Sequence, residues 1–562
     1  MKDRISKPIH AIPEVAPLLL TLFIGLAYVL TATSYLTSDA NHWIELIEKG
    51  SDGEYYGIIN HFLQIPYSHG IVSALRAIGI NLSGLFILRF FDLIASIVAA
   101  VYFGLICERL LSDTAQVPRG SSRQKLGFVP ILLFAGNLSL LVNWNGELYA
   151  VPIALYAAAV YEILRGSTSR ASLFLSLAIL HHIEFVLLVP SFFVLLWMDS
   201  KRQQVLFLKR AASFSLQLAA FFSVILVTAV LCIKGLSSPR AIVEYVLYGP
   251  GRADVSSIKT FEHSLPKGFL KALKGLFSGY NISGHVLGDV LTGKAAFFQN
   301  MKFALLELVA SLAVVFSTLY LIWLGRKQKK LWLYSLSAML PVLLFFNLRY
   351  YPVWMKYHSA SLLGLNLIIV AGLYELSKNS KPKLVYAYLV LMVGSNLFGS
   401  VIPMKFRGTA LEQDTLQAKL FYKRDHKISV VSCEENSSFR DFPEMRNFRV
   451  DSLVYQLPQL ENTDAAHAII RDWVRQRLAE GRRVYLLGDA CDSYHWEILA
   501  REARKALPSP QFIHFDFSFL KNTFALTDTG QRFQVDAQNF FDPLGWKEAR
   551  LLEVRMPGTG AH

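Results

Sequence analysis

The sequence predicts an all-α polytopic membrane protein of about eleven transmembrane helices with a C-terminal extracytoplasmic α/β domain. Three observations carry this. Hydrophobic residues make up 53% and charged residues 17% of the chain, and its mean hydropathy is +0.36; a soluble domain carries about 25% charged residues. Apolar runs of roughly 17 to 25 residues recur, the length that crosses about 30 Å of hydrocarbon. Beyond residue 402 the runs stop, and short β-like segments alternate with helical patterns. The net charge of +14 does not point to nucleic acid. The basic residues fall in short clusters between apolar runs, which is how a chain sets its membrane orientation.

Lys2, Arg4 and Lys7 precede the first run, about 15–36. Its length and the lack of an A-x-A site argue for a retained span rather than a cleaved signal, with the N-terminus cytoplasmic. The first outer loop, 37–70, follows. The second span, about 82–111, leads to a basic linker rich in Ser, Gly and Pro, as suits a cytoplasmic loop. Spans three and four, about 127–144 and 147–164, meet at Asn145-Gly146-Glu147. The run 171–198 has basic clusters on both flanks, Arg165 and Arg170 before it and Lys201, Arg202, Lys209 and Arg210 after it. One crossing would put one cluster outside, against the positive-inside bias. His181-His182-Ile183-Glu184 also interrupts the run, which is costly in lipid unless those groups face protein or water. A shallow hairpin turning at that tip resolves both difficulties.

Span seven, about 211–233, precedes a long outer segment, 234–300, whose LPKGFLKALKGLF stretch has the basic amphipathic pattern of helices lying on membrane lipids. Spans eight to eleven fall at about 301–324, 331–347, 359–376 and 384–402. They are divided by the basic GRKQKK, the outer turn LRYYPVWMKYH and the basic SKNSKPK. Residues 1–402 are thus expected to form the membrane domain, and 403–562 a soluble periplasmic domain. Strands are expected there at 427–431, 483–487, 511–517 and 549–554, and helices at about 463–480 and 493–507. Of four cysteines, Cys107 and Cys232 lie in apolar runs, while Cys433 and Cys491 would be free to pair if the C-terminal part is exported.

Loop 37–70 holds Asp39, Glu45, Glu48, Asp52 and Glu54 with His42, His61 and His69, interleaved with aromatic residues. A short loop does not need carboxylates and imidazoles clustered where the chain leaves the lipid. With the hairpin counted as two spans, this loop, the Glu147 turn and the His182/Glu184 tip fall on one membrane face. Arg349, Lys356 and the segment containing Arg252 share that face. Carboxylates facing cations suit a site that deprotonates an acceptor hydroxyl and holds an anionic phosphate. Plainer roles compete: Asp39 is also a good N-cap for ANHWIELIEKG, and Glu54 a solvated loop carboxylate. His61 and its neighbours are widely spaced for a metal site, so a divalent metal ion stays an open alternative.

The order of features resembles the GT-C glycosyltransferase superfamily, membrane enzymes that take sugars from polyprenyl-phosphate carriers. Asp39, then Pro66 and Arg89 in LRFFDL, fill the places of its acidic first-loop motif, its Pro-containing stretch and its Arg-bearing span. LAILHHIEFVLLVP is similar to its mid-chain hairpin, LRYYPVWMKYHSASLLGLNL to its late Arg-Tyr segment, and NHFLQIPYSHGIVSALRAIGI to a His-Leu-Pro pattern in a bacterial branch. Many members carry Asp-Glu in the first loop, whereas Ala40 follows Asp39 here, which leaves the base open between Asp39 and Glu54. The resemblance implies a transferase moving a sugar from a polyprenyl-phosphate donor to a glycan, lipid or protein acceptor. Arg349 and Lys356 would neutralise the donor phosphate, and Glu147 with His182 would orient the acceptor or a metal. A flippase of lipid-linked glycans and a polysaccharide polymerase or ligase are the alternatives.

Overall fold

A computed structural model of the protein describes residues 23–30, 43–44, 46–48, 63–112, 128–137, 148–203, 206–234, 276, 301–349, 360–378, 382–401, 427–432, 448–449, 463–487, 518–536 and 546–557. The chain divides into two units. The first comprises Met1–Ala32, Asp39–Ile282 and Val309–Val401, and the second Thr33–Ser38, Ser283–Leu308 and Ile402–His562.

The helices of the first unit are α1 (Gln64–Ala77), α2 (Gly84–Ser112), α3 (Val129–Ala135), α4 (Ala150–Leu164), α5 (Thr168–His181), a 3-10 segment (Ile183–Leu188), α6 (Val189–Gln203), α7 (Phe207–Lys234), α8 (Met301–Gly325), α9 (Lys329–Arg349), α10 (Leu362–Lys378) and α11 (Pro382–Asn396). The 301–308 part of α8 groups with the second unit. Among the described residues, Gly84–Leu111, Ile183–Lys201, Phe207–Ala229 and Leu308–Gly325 are long and apolar enough to cross a membrane, and Ala150–Leu164 is a shorter apolar helix. The protein is therefore mostly helical and of membrane type. The expected count of eleven spans extends into residues outside the described set, and the span expected at 127–144 contributes only the short α3 to that set.

α2 shows how such a helix divides its surface. Phe86, Phe90, Ile94, Val98, Val101 and Leu105 are exposed at steps of three and four, whereas Leu88, Asp92, Ser96, Ala99 and Phe103 are buried. An exposed apolar stripe of that length is what lipid covers. Because lipid is as apolar as leucine, close packing of small residues has to hold the helices together. Ala150, Ala154, Ala157, Ala158 and Ala159 line the buried faces of α4. A Cβ on Gly372 of α10 would strike the Leu321 carbonyl of α8, and one on Gly325 would strike the Ile368 carbonyl.

Residues 171–198 form a hairpin. Ser172 Oγ donates to the Phe214 carbonyl and Ser176 Oγ to that of Leu218, each at 3.2 Å. The pairs advance together, so α5 and α7 run parallel. The chain between them must return, and α6 does so: Phe192 stacks on Phe214 at 5.4 Å, and Asp199 pairs with Arg210 across the short α6–α7 turn. The reversal begins at His182, whose backbone is extended (φ −152, ψ 115) between α5 and the 3-10 segment. Arg170 and Lys201 consequently lie at the same end.

In the second unit, strands β1 (Ile428–Ser432), β2 (Phe448–Arg449), β3 (Arg483–Leu487), β4 (Ala525–Asp536) and β5 (Trp546–Arg555) form a sheet of order β2-β1-β3-β5-β4. β1 pairs in parallel with β2 and β3, and β5 is antiparallel to β3 and β4. The helix α12 (Thr463–Ala479) lies between β2 and β3 in sequence, the crossover that neighbouring parallel strands require. Ile428, Val430, Val484, Leu486, Ile470, Val474 and Leu551 are buried. The sequence anticipates β1, β3, β5 and α12. It does not anticipate β4, whose polar ALTDTGQRFQVD lacks alternation and carries a register shift at Asp528/Arg532 with Gly530 at φ +76. The expected segments 493–507 and 511–517 lie outside the described residues.

Candidate functional site

Four helices define two ends of the first unit. Tyr149, which precedes α4, places its ring 4.4 Å from that of His182, and Glu162 lies near the other end of α4. His181 closes α5, and Arg170 lies near its start. Asp199 lies in the last turns of α6, away from the tip. Ala360, just ahead of α10, brings its backbone amide up to Glu184, while Glu375 near the far end of α10 accepts from Gln328 at the start of α9. His182, Glu184, Tyr149 and Ala360 thus mark one end, and Glu162, Asp199 and Glu375 the other.

At the first of these ends, Leu148 holds φ +60, a left-handed backbone that costs a non-glycine residue roughly 1–2 kcal/mol. Burial locks it: Leu148 packs with Trp43, Leu46 and Ile47 of the first loop, Ile65 and Val72 of α1, and Ile87 and Leu88 of α2. Parts of the first loop therefore reach the same end as the hairpin tip. Two of the loop's polar groups have structural partners. The Glu48 carboxylate accepts the Gly84 N–H at 2.9 Å and caps α2. His69 Nδ1 donates to the Ile47 carbonyl at 2.8 Å, leaving Nε2 to accept from Ser73 Oγ at 3.3 Å. A Cβ on Gly84 would lie 3.0 Å from Glu48 Cγ and 3.3 Å from the Ile44 carbonyl, so this close approach favours glycine.

The tip is different. His181 Nδ1 donates to the Leu177 carbonyl at 2.8 Å, an ordinary capping contact. Glu184 N–H donates to His182 Nδ1 at 3.4 Å, which leaves the neutral ring its proton on Nε2, and the Glu184 carboxylate lies 3.7 Å from the same nitrogen. Both side chains are buried, and although the Ala360 amide is close, neither Glu184 oxygen reaches hydrogen-bond geometry with a donor among the described residues. A carboxylate placed so can accept from substrate hydroxyls, and the adjacent imidazole can relay a proton.

Of the residues singled out by sequence, the structure brings His182 and Glu184 together. Asp39, Glu54, His61, Glu147, Arg252 and Lys356 lie outside the described residues, and Arg349 is described only as the last residue of α9. Glu147 immediately precedes Leu148, and Lys356 stands four positions before Ala360. Pro66 sits in the first turn of α1, where it costs no helical hydrogen bond. Arg89 lies one turn from Asp92 on α2. As to a metal, His182 and Glu184 offer two ligands, and no group of three His, Cys, Asp or Glu converges among the described residues. That set falls short of the four or more ligands zinc or calcium takes. Sequence reasoning passed over Gln64, Ser68, Asp92 and Ser96, all fully buried. Their signal was available: polar residues four apart, on stripes that are otherwise apolar.

No family model matches the chain, and no curated protein matches it. Among solved structures it is similar to ArnT from Cupriavidus metallidurans bound to undecaprenyl phosphate, at 9% identity and a TM-score of 0.45, covering 98% of this chain and 99% of that one. It is also similar to the Archaeoglobus fulgidus oligosaccharyltransferase tethered to an acceptor peptide, at 11% identity and a TM-score of 0.43, covering 96% of this chain and 76% of that one. A third likeness is to AglB from Archaeoglobus fulgidus in complex with an inhibitory peptide and a dolichol-phosphate, at 10% identity and a TM-score of 0.36, covering 95% of this chain and 76% of that one.

Proposed function

We propose that the protein is a membrane glycosyltransferase that moves a sugar from a polyprenyl-phosphate donor to a glycan, lipid or protein acceptor at the outer face of the cytoplasmic membrane. The observation that carries this reading is the gathering of first-loop residues, Tyr149, His182, Glu184 and Ala360 at the end of the bundle opposite its cation pairs. By the positive-inside bias the cation-rich end is cytoplasmic, which turns the polar end outward.

In this reading Asp39 takes the proton of the acceptor hydroxyl as its oxygen bonds to the sugar's anomeric carbon, with Glu54 the alternative base. The bond from that carbon to the phosphate oxygen breaks, and polyprenyl phosphate departs with the electron pair. Arg349, Lys356 and Arg252 stabilise the charge on the departing phosphate. Glu147, His182, Glu184 and His61 hold the acceptor and the sugar.

Purified protein in nanodiscs, given a panel of polyprenyl-phosphate-linked hexoses and pentoses with candidate acceptors, should release polyprenyl phosphate in step with glycosylated acceptor. Movement of the lipid-linked sugar between leaflets without release would instead make the protein a flippase. Growth of a chain on the lipid would make it a polymerase.

A further inference from the structure

Gln64 and Ser68 stand on the buried stripe of α1, and Asp92 and Ser96 on that of α2. Val72 and Leu88 share one core cluster, and the helices are joined by the short turn at 78–83. Antiparallel steps of four residues from that pair put Ser68 level with Asp92 and Gln64 level with Ser96. Tyr67 agrees with this register: its ring packs 5.2 Å from Phe91 and lies within electrostatic reach of Asp92. The hairpin tip forms the third wall. Leu63 N–H donates to the Leu180 carbonyl at 3.3 Å, and the Tyr67 ring is 5.8 Å from His181.

Both amide atoms of Gln64 and the hydroxyls of Ser68 and Ser96 have no hydrogen-bond partner among the described residues, and all three residues are fully buried. Ser96 is about 18 Å along α2 from Gly84 at 1.5 Å per residue, where lipid outside the bundle offers nothing to bond with. Buried polar groups are nearly always paired, and exceptions concentrate where a ligand or water completes them. Leucine and alanine would fill these positions without that cost. The chemistry of the set selects the ligand. An amide supplies donors and an acceptor, the hydroxyls supply both, and the cation on the α2 stripe, Arg89, stands one turn from the carboxylate of Asp92. A phosphate would call for Arg or Lys with no acid beside it. A neutral ring of hydroxyls fits.

We propose that Gln64, Ser68 and Ser96 line a sugar-binding recess between α1, α2 and the hairpin tip, and that they hold the hydroxyls of the transferred sugar. This rests on the glycosyltransferase reading for the sugar's fate, but not for its binding.

The test uses full-length protein in nanodiscs. Thermal shift and binding are measured with alkyl glycosides, with polyprenyl-phosphate-linked sugars and with bare polyprenyl phosphate. Gln64→Leu should leave the ligand-free melting temperature equal or higher, weaken sugar-bearing probes by roughly 3- to 10-fold, the worth of a hydrogen bond, and leave bare polyprenyl phosphate unchanged. The Ser68→Ala/Ser96→Ala double variant should do the same. Lower stability with sugar binding intact would overturn the recess in favour of a structural or water-filled role. Equal weakening of bare polyprenyl phosphate would overturn it in favour of a lipid contact, and so would failure of every sugar probe to bind the wild type. Transfer is assayed in parallel. Sugar binding that depends on Gln64 in a protein that transfers nothing defeats the enzyme reading alone, while transfer with an unchanged KM in Gln64→Leu defeats the recess alone.

Discussion

The two ends of the helical unit treat buried acids in opposite ways. At one end each acid has an answering group. Glu162 lies 3.6 Å from Arg165 and 3.8 Å from Arg170, Asp199 pairs with Arg210, and Glu375 accepts from Gln328 at 2.5 Å and from Lys378 at 3.1 Å. Aromatic rings sit one turn before cations there: Tyr161 under Arg165, Trp197 under Lys201, Trp323 under Arg326 and Tyr374 under Lys378, at 4.1 to 5.8 Å. Aromatic and basic anchors of this kind belong at a membrane interface. At the other end Glu184 has a neutral-capable histidine at 3.7 Å and no lysine or arginine partner among the described residues. The contrast is one of charge pairing: cations stand beside the acids of the anchoring end, although Glu162 Oε2 is buried there without a hydrogen bond, and none stands beside Glu184 among the described residues.

The sharpest break of the comparison is at the base. Asp39→Asn keeps the size and N-capping ability of aspartate but removes its basicity. General-base contributions run from about 100- to 10,000-fold, so transfer should fall by at least about two orders of magnitude while the protein level stays near normal. Glu54→Gln is the matched control and should cost much less. Near-normal transfer by Asp39→Asn would remove it from the site, and loss in Glu54→Gln alone would move the base there.

At the anchoring end the same kind of change should act on stability. Asp199→Ala removes the carboxylate that pairs with Arg210, whose side chain is only 12% exposed. Removing one partner of a buried pair costs about 3–5 kcal/mol, and the melting temperature of the nanodisc-held protein should drop accordingly, with KM unchanged in the surviving fraction. Glu184→Gln should do the reverse: melting near or above wild type, with weakened transfer. If both substitutions act on stability alone, the two ends do not differ in kind.

How much of this was legible in the sequence follows the same division. Helix existence, the hairpin at His182 and the shared end of Arg170 and Lys201 were readable, because lipid forces backbone polar groups inward and charge bias fixes parity. The pairing of His182 with Glu184 was readable as a polar interruption of an apolar run. The recess at Gln64 was not recognised: polar residues four apart on a largely apolar stripe were there to be seen, but only the neighbouring helix shows that they are left unbonded. Glu48 and His69 misled in the other direction. They were grouped with the chemistry of loop 37–70, yet Glu48 caps α2 and His69 holds the Ile47 carbonyl, contacts that depend on folding at Gly84.

That correction gives the third prediction. Glu48→Ala removes the acceptor of the Gly84 N–H at the start of α2 while the Ser83 cap on the Phe86 N–H remains, and the loss of one such hydrogen bond costs about 1 kcal/mol. The expected result is a small fall in melting temperature with transfer retained in the folded protein. A loss of transfer at unchanged stability would return Glu48 to the site.

The smallest effect tests the contrast in the second unit, where anchoring pairs stand in water. Arg483 of β3 reaches Glu553 of β5 at 3.0 Å, tying the two strands, and Arg555 of β5 reaches the same carboxylate at 2.7 Å. Burial pushes the Glu553 carboxyl up, but the hydrogen bonds and charges of Arg555 and Arg483 outweigh it and hold the group below its ordinary value. A carboxyl depressed in the folded state contributes stability above its unfolded value, and that contribution disappears as pH falls through the folded one. Both guanidinium groups are well exposed, 54% and 38%, so solvent screens the pair and its worth stays under about 1 kcal/mol. Glu553→Gln should therefore speed hydrogen exchange at the β3 and β5 amides slightly near neutral pH, with the gap closing below the normal glutamate range and shrinking in high salt. A gap that persists in acid would mean that glutamine packs worse there, and that charge is not what joins these strands.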